Sequence, residues 1–270
     1  MLIDTHCHLD DEAFADDLPS VVESCTNSGI VKMLTPGTTR RSSEACIALA
    51  DRFPTVFAGV AVHPECLLGE IQSLGSQAVA EADFFRFFEP LTQREKVVAV
   101  GETGLDLYWK ETPLEIQTAF LRLHFELARR AKLPIILHCR DAESELLEFV
   151  HEDFSRNTPI PGVIHSFSGG PDFLKACLDL GFYISYSGSV TFTNKKFRAL
   201  RETVPLVPSD RILVETDSPD LAPMPLRGRV PRNEPSYVLH TATQLAQLLQ
   251  MDMETFSEQT TANAERLFGF

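Results

Sequence analysis

The stretch Val97-Val98-Ala99-Val100-Gly101-Glu102-Thr103-Gly104-Leu105-Asp106 joins an apolar run to a carboxylate that stands between two glycines. The run 97–100 is short and rich in β-branched side chains, which predicts a buried strand ending at Glu102. The glycines add no side-chain bulk, so a ligand or another backbone could approach the carboxylate closely. Two interpretations are open at this point: a metal-bridging glutamate, or a glutamate in a tight strand-to-helix turn in which Asp106 caps the following element.

Eight short apolar runs, including the one before Glu102, alternate with stretches of helical periodicity. They cover residues 2–5, 31–34, 56–62, 97–100, 134–137, 162–164, 182–186 and 211–214. Alternating strands and helices are typical of parallel α/β proteins, and eight such units close into a barrel. The sequence therefore predicts an α/β fold, a (β/α)8 TIM barrel, whose last helices cover about 234–249 and 253–268.

Composition sets limits on the class of protein. The chain has 270 residues, of which 44% are hydrophobic, and this length suits one barrel domain over 1–270. A formal net charge of -14 argues against coating duplex nucleic acid through a broad basic surface. Six cysteines without a C-x-x-C pair suit reduced thiols. No basic region precedes an apolar stretch at the N-terminus, and no run approaches the ~18 apolar residues of a membrane span. We expect a soluble, cytoplasmic protein with no obligate protein partner.

Some residues have structural interpretations. Phe84, Phe85, Phe87 and Phe88 are spaced to share one helix face and are expected to pack against the sheet. His124 lies beside the apolar stripe of the helix that includes residues 116–131, so we expect a structural role. Asp141 is predicted to be the N-cap of a helix over 142–150.

Metal-ligating side chains recur where the predicted strands end. They are His6, His8, His63, Glu102, His138, His165 and Asp217. Barrel enzymes keep their chemistry at the carboxyl ends of the strands, whereas structural histidines have no reason to collect there. Imidazoles and carboxylates converging on one mouth would be costly to leave desolvated and unpaired, and one or two divalent cations are the natural compensation. Two such ions can activate water and stabilise both oxygens of a displacement, which predicts a hydrolase.

Six ordered motifs, spread over nearly the whole chain, carry a family resemblance. They are Asp4-Thr5-His6-Cys7-His8-Leu9-Asp10, Val62-His63-Pro64, the stretch 101–106, His138-Cys139-Arg140-Asp141-Ala142, His165-Ser166-Phe167-Ser168-Gly169 and Glu215-Thr216-Asp217-Ser218-Pro219. Together they resemble the TatD-type metal-dependent deoxyribonucleases of the amidohydrolase superfamily. The resemblance implies Mg-dependent nuclease activity.

The same resemblance implies a role for each matching residue. One metal would be held by His6, His8 and Asp217, the other by His138 and His165, with Glu102 as the bridge. His63 and Arg140 would face the substrate phosphate. Of these residues we expect Glu102, Asp217 and His63 to be catalytic, and Asp217 to help orient or deprotonate the attacking water. Histidine-rich ligation favours Zn, whereas phosphodiesterases of this kind often use Mg or Mn.

A phosphate substrate is also suggested by a local excess of basic residues. Residues 195–232 contain eight Lys or Arg against five Asp or Glu, a balance of +3. In barrels the loops after strands seven and eight often form a phosphate site. Surface helix charge is an equal alternative for 195–201, which makes Arg227, Arg229 and Arg232 the better candidates.

With the family resemblance, these patterns imply a phosphodiester hydrolase that acts on DNA as an exodeoxyribonuclease. We expect it to prefer single-stranded ends, with short single-stranded DNA as substrate and two divalent ions as cofactors. Two alternatives stay open. The same barrel mouth could hydrolyse a small amide, lactone or phosphoester, or the chain could be a non-catalytic metal- or nucleotide-binding module.

Overall fold

Eight parallel strands surround a common axis in the computed structural model, which describes residues 1–270 apart from the side chain of Lys196. The strands are β1 (Leu2–Asp4), β2 (Ile30–Pro36), β3 (Val56–Val60), β4 (Val97–Asp106), β5 (Ile135–Arg140), β6 (Gly162–Ile164), β7 (Tyr183–Tyr186) and β8 (Ile212–Val214). Each strand pairs with the next along the chain. Between β8 and β1, Thr5 N–H donates to Val214 O over 3.2 Å. The predicted (β/α)8 barrel is confirmed.

Helices connect the strands and cover the outside of the barrel. They are α1 (Leu18–Asn27), α2 (Arg40–Arg52), α3 (Leu67–Leu74), α4 (Gln77–Leu91), α5 (Leu114–Ala131), α6 (Glu143–Arg156), α7 (Pro171–Asp179), α8 (Arg198–Thr203), α9 (Val238–Leu249) and α10 (Met253–Phe268). The two C-terminal helices lie where the sequence predicts them. Within the described part of the chain, none of these helices has the length and apolar character that crossing a membrane requires.

The prediction that Asp141 caps α6 is wrong. The N-cap position is Ala142, and no side-chain hydrogen bond caps this helix. Asp141 has a φ of +54°, in the left-handed region. The reason is that β5 continues through Arg140, so the chain uses Asp141 to turn sharply out of the strand rather than to begin the helix.

Glu102 lies inside β4 and not at its end, which corrects the prediction. The pairing of β4 with β5 changes register between Val100 and Thr103, so β4 holds one extra residue there. Gly104 has a φ of +149°, and a Cβ at this position would overlap the backbone of His138. The apolar run stops at Val100 because polar side chains then enter the mouth of the barrel, while backbone pairing continues.

The two ends of the barrel differ in chemistry. Buried apolar residues from seven strands form a cluster separate from the larger core that packs against the helices, and α10 contributes Ala264, Leu267 and Phe268 to it. This cluster fills the barrel interior towards the end covered by α10. Polar side chains that follow the strands therefore collect at the opposite, carboxyl end.

His124 on α5 has a structural role, as predicted. Its side chain is fully buried, Val62 N–H donates to Nε2 over 2.9 Å, and Nδ1 lies 2.7 Å from Phe120 O. The Phe84 ring contacts the imidazole edge at a centroid distance of 4.7 Å. Phe84 and Phe88 are buried as expected, whereas Phe85 and Phe87 are only half-buried. Burial lowers the pKa of His124 to about 4, so the folded protein holds the neutral ring.

The buried neutral His124 makes the free energy of unfolding pH-dependent. Its pKa is lower in the folded protein than in the unfolded chain, so its stabilisation is lost as the pH falls from about 6.5 towards 4. We expect this group to contribute a loss of about 2–3 kcal/mol between pH 7 and 4.5. In His124→Gln that part of the pH dependence should disappear.

Urea unfolding of both proteins at the two pH values measures the difference. His151→Gln, which removes an exposed imidazole from α6, is the matched control. An unchanged pH dependence in His124→Gln would show that the ring is not held neutral.

Candidate metal centre

Glu102 Oε2 faces potential ligand atoms from the segments that follow the first strand, β1, and the last strand, β8. His6 Nε2 lies 3.3 Å from it and His8 Nε2 3.6 Å. Asp217 follows β8, and its Oδ1 lies 3.5 Å from His8 Nε2 and 3.8 Å from His6 Nε2. Asp217 N–H donates to His6 O over 2.9 Å, so the backbone itself holds these side chains together.

Glu102 Oε1 faces the opposite side of the mouth. His165 Nε2 lies 2.6 Å from it, His138 Nδ1 3.1 Å and His63 Nε2 3.3 Å. The Glu102 side chain is 4% exposed. One buried carboxylate is therefore shared between two sets of imidazoles, each approaching a different oxygen.

The arrangement of donor atoms fits divalent cations. His6 Nε2 and His8 Nε2 are 3.2 Å apart, and His138 Nδ1 and His165 Nε2 are 3.4 Å apart. Each pair of ring nitrogens needs a proton or a cation between its lone pairs. Imidazole and carboxylate are the ligands of Zn and related ions. Candidate ligand groups include His6 with His8 and Glu102, and His63 with Glu102 and His138.

Hydrogen bonds around the rings determine which nitrogen faces the centre. Asp106 Oδ2 lies 2.9 Å from His138 Nε2, so Nε2 donates to it and the Nδ1 lone pair points towards Glu102. Glu65 N–H donates to His63 Nδ1 over 3.3 Å. A neutral His63 therefore carries its proton on Nε2, and this ring presents a donor to the mouth, unlike the ring of His138.

Two further carboxylates of the centre were missed by the sequence analysis. Asp106 orients His138 as described above. Glu215 Oε1 accepts from Ser166 N–H over 2.6 Å and lies 3.4 Å from His165 Nδ1. A signal existed for Asp106: residues 102, 104 and 106 share one face if the strand continues past Val100. Because the predicted strand ended at Glu102, the sequence analysis did not place Asp106 on the same face.

Burial and charge set the protonation of the metal-free centre. Burial alone would raise the pKa of Glu102, but the surrounding imidazoles hold it well below its usual value. Burial alone would lower the pKa of His8, but its hydrogen bond to Asp217 and the charge of Glu102 raise it to about 9. Asp217 in turn is held well below its ordinary pKa, against the effect of burial. The metal-free centre thus stores protons on imidazoles at neutral pH.

A cavity of about 680 Å³ opens over the centre. Its lining includes His8, His63, Glu102, His138, Arg140 and Asp217. Arg140 is exposed, and its guanidinium lies 3.8 Å from the centroid of the Tyr108 ring. His63, Arg140 and the predicted metal ligands other than His6 therefore line one open space.

The basic segment 195–232 offers fewer phosphate contacts than its composition suggests. Arg232 donates to Asp17 and Glu234 and covers the Phe14 ring, so acidic side chains already engage the guanidinium that was expected to bind phosphate. Arg227 is exposed and lies over Phe192 at 3.7 Å, and Arg229 is exposed. Arg198 pairs with Glu202, Arg211 pairs with Asp210, and Arg201 donates to Phe192 O. The side chain of Lys196 lies outside the described residues.

Comparison with known proteins agrees with this geometry. A family model described as TatD related DNase matches residues 3–269. YabD from Bacillus subtilis, named an uncharacterized metal-dependent hydrolase, is 35% identical over 268 residues, which cover 99% of each chain. A protein of Edwardsiella piscicida named 3'-5' ssDNA/RNA exonuclease TatD is 33% identical over 272 residues, with 99% of each chain covered. The crystal structure of YJJV, a TatD homologue from Escherichia coli, has a TM-score of 0.85 at 27% identity and covers 100% of this chain and 98% of that one.

Metal binding should release protons at neutral pH. Ligation by His8 would need its neutral ring, and its pKa of about 9 keeps that ring protonated at pH 7 when no metal is bound. We expect Zn²⁺ added to chelator-stripped protein at pH 7 to release at least one proton, and fewer as the pH rises to 9.5. Titration calorimetry in buffers of different ionisation enthalpy counts the protons.

In His8→Asn the release at pH 7 should fall by about one proton. His240→Gln, on α9, is the control for loss of an imidazole elsewhere. If His8→Asn and the unchanged protein release the same number of protons, His8 does not carry the proton that metal binding displaces.

Proposed function

Since the chain belongs to the TatD-related DNase family, we propose that this metal-dependent hydrolase cleaves phosphodiester bonds of DNA as an exonuclease at single-stranded ends. The observation that carries the proposal is the Glu102 carboxylate, whose two oxygens face separate sets of imidazoles. Such a carboxylate suits a two-ion centre, and two-ion centres are common among phosphodiesterases. Membership of a hydrolase family removes the non-catalytic binding module as an alternative.

The proposal divides the candidate ligands between two ions. One ion would be held by His6, His8 and Asp217, the other by His138 and His165, and Glu102 would bridge them. Bound divalent ions supply Lewis acidity, which activates water and neutralises charge on the phosphoryl group.

The remaining groups act on water and phosphate. The second oxygen of Asp217 can orient the attacking water and accept its proton, because this carboxylate remains ionised. His63 Nε2–H and the guanidinium of Arg140 would donate to the phosphate oxygens, as both line the cavity above Glu102.

Charge and one relative support the choice of substrate. A chain of net charge -14 repels a polyanion at long range, so binding depends on few local contacts. The cavity is open to the surface, but the basic segment offers it no broad basic groove among the described residues: three of its six arginines have acidic partners, and Arg201 donates to Phe192 O. An unpaired end can enter such a mouth. The Edwardsiella protein is named as an exonuclease on single strands, which supports this choice.

Removing the bridge should disrupt both ions. We expect Glu102→Ala to lose tightly bound metal and to lower the hydrolysis rate by about 10³-fold or more, because the two ion sites share this carboxylate. Asp217→Ala should keep the ion at His138 and His165. Elemental analysis of the purified proteins and rates on an oligonucleotide measure both effects.

Asp220→Asn is the matched control, since Asp220 lines the same cavity but belongs to none of the candidate ligand groups among the described residues. Two tightly bound ions and a near-normal rate in Glu102→Ala would remove the bridge from the proposal.

Cleavage should depend on DNA ends. We expect mononucleotide release from linear single-stranded DNA to be faster than from blunt duplex, and closed circular DNA to resist. Two or three phosphate contacts on a single strand also predict a shallow slope of about -1.5 to -2 for log affinity against log salt. Comparison of the three DNA forms with the same ion measures the preference.

Equal cleavage of closed circles would contradict the exonuclease. Rapid turnover of a lactone, amide or small phosphoester without any DNA cleavage would assign the site to a small-molecule substrate instead.

A further inference from the structure

Two adjacent aromatic side chains are exposed beside the metal centre. Trp109 is 51% and Tyr108 49% exposed, whereas the phenylalanine and other tyrosine side chains that the structure describes are buried or half-buried. The two rings meet edge to face with centroids 5.1 Å apart. Exposed apolar surface of this kind commonly marks a binding site.

The backbone under these rings is held in place. Asp106 Oδ1 accepts from Tyr108 N–H over 2.9 Å and from Trp109 N–H over 3.1 Å. Gln117, buried on α5, donates from Nε2 to Asp106 O and to Thr112 O, each over 2.8 Å. Both ends of the segment 106–112 are thus tied down, and the rings project into solvent from an ordered support.

The same support connects the rings to the metal centre. The other oxygen of Asp106 orients His138, whose Nδ1 lies 3.1 Å from Glu102 Oε1. Arg140 lies over the Tyr108 ring at 3.8 Å and 5.6 Å from the Trp109 centroid, and it also lines the cavity. Stacking uses the flat face of the guanidinium and leaves its N–H edge available for a phosphate.

We propose that Tyr108 and Trp109 form a stacking subsite for a nucleobase next to the scissile phosphate, while Arg140 holds the phosphate between the base and the metal centre. This inference rests on the proposed function. Base-on-aromatic stacking tolerates any sequence and needs an unpaired base. The subsite therefore accounts for a preference for single strands that the acidic surface alone cannot supply.

Binding gives the first test, because Trp109 is the only tryptophan. The probe is a single-stranded tetranucleotide with phosphorothioate terminal linkages, added to the metal-loaded protein. Its binding should change the tryptophan fluorescence, and replacing the terminal nucleotide at the engaged end by an abasic residue should weaken binding. Each end is made abasic in turn to find the one that is engaged.

Kinetics separate stacking from a structural effect of the loop. Trp109→Ala should lower kcat/KM on the single-stranded oligonucleotide about 5- to 100-fold, mainly through KM, whereas Trp109→Phe should retain most of it. On the abasic-end oligonucleotide the loss in Trp109→Ala should shrink to about twofold. Tyr108→Ala should follow the same pattern, and Val79→Ala, which trims an exposed side chain on α4, is the control.

The outcomes are distinct. Equal loss on normal and abasic ends would show that the loop acts only through His138 and would overturn the subsite. The subsite would also be overturned if both alanine variants had unchanged kinetics while the wild-type protein degraded DNA. If the wild-type protein degrades no DNA, the proposed function fails, and the subsite with it.

Discussion

The carboxylate of Glu102 is the feature around which the rest of the molecule is arranged. It is buried and ionised, and imidazoles reach it from the segments after β1 and β3, from β5 and from the end of β6. A buried anion is expensive unless cationic or donor groups surround it. The extra residue of β4 and the glycines at 101 and 104 give the carboxylate this position. A Cβ at Gly101 would overlap Ile136, and a Cβ at Gly104 would overlap His138.

Closure of the barrel and assembly of the centre depend on the same bonds. Asp4 is fully buried at the end of β1 and accepts from Thr216 N–H over 3.0 Å and Thr216 Oγ1 over 2.6 Å. Burial raises its pKa to about 8, which these hydrogen bonds only partly offset. With the bond from Asp217 N–H to His6 O, Asp4 fastens the last strand to the first. The two ends of the chain therefore build one side of the centre together.

Several of the cationic side chains have partners within the protein. Arg40, Arg129 and Arg232 each have acidic partners, and Lys96 donates to backbone carbonyls near the end of α2. Arg140 differs, since it stacks on an aromatic ring at the mouth and lines the cavity. The structure therefore places this guanidinium at the cavity that Glu102 also lines.

The sequence by itself determined the barrel, because apolar runs of strand length alternate with helical periodicity and such patterns depend on local spacing. It also predicted which imidazoles and carboxylates lie together at the mouth, since these residues repeatedly follow those runs. Only the tertiary structure decided that Glu102 and His138 lie within strands and that Asp106 orients His138 while Glu215 lies beside His165. It also decided that Asp17 and Glu234 engage Arg232. The physical reason is that strand register, ring orientation and ion pairing depend on partners distant along the chain: Asp17 is 215 residues from Arg232, and Glu215 is 49 from Ser166, to which it bonds beside His165.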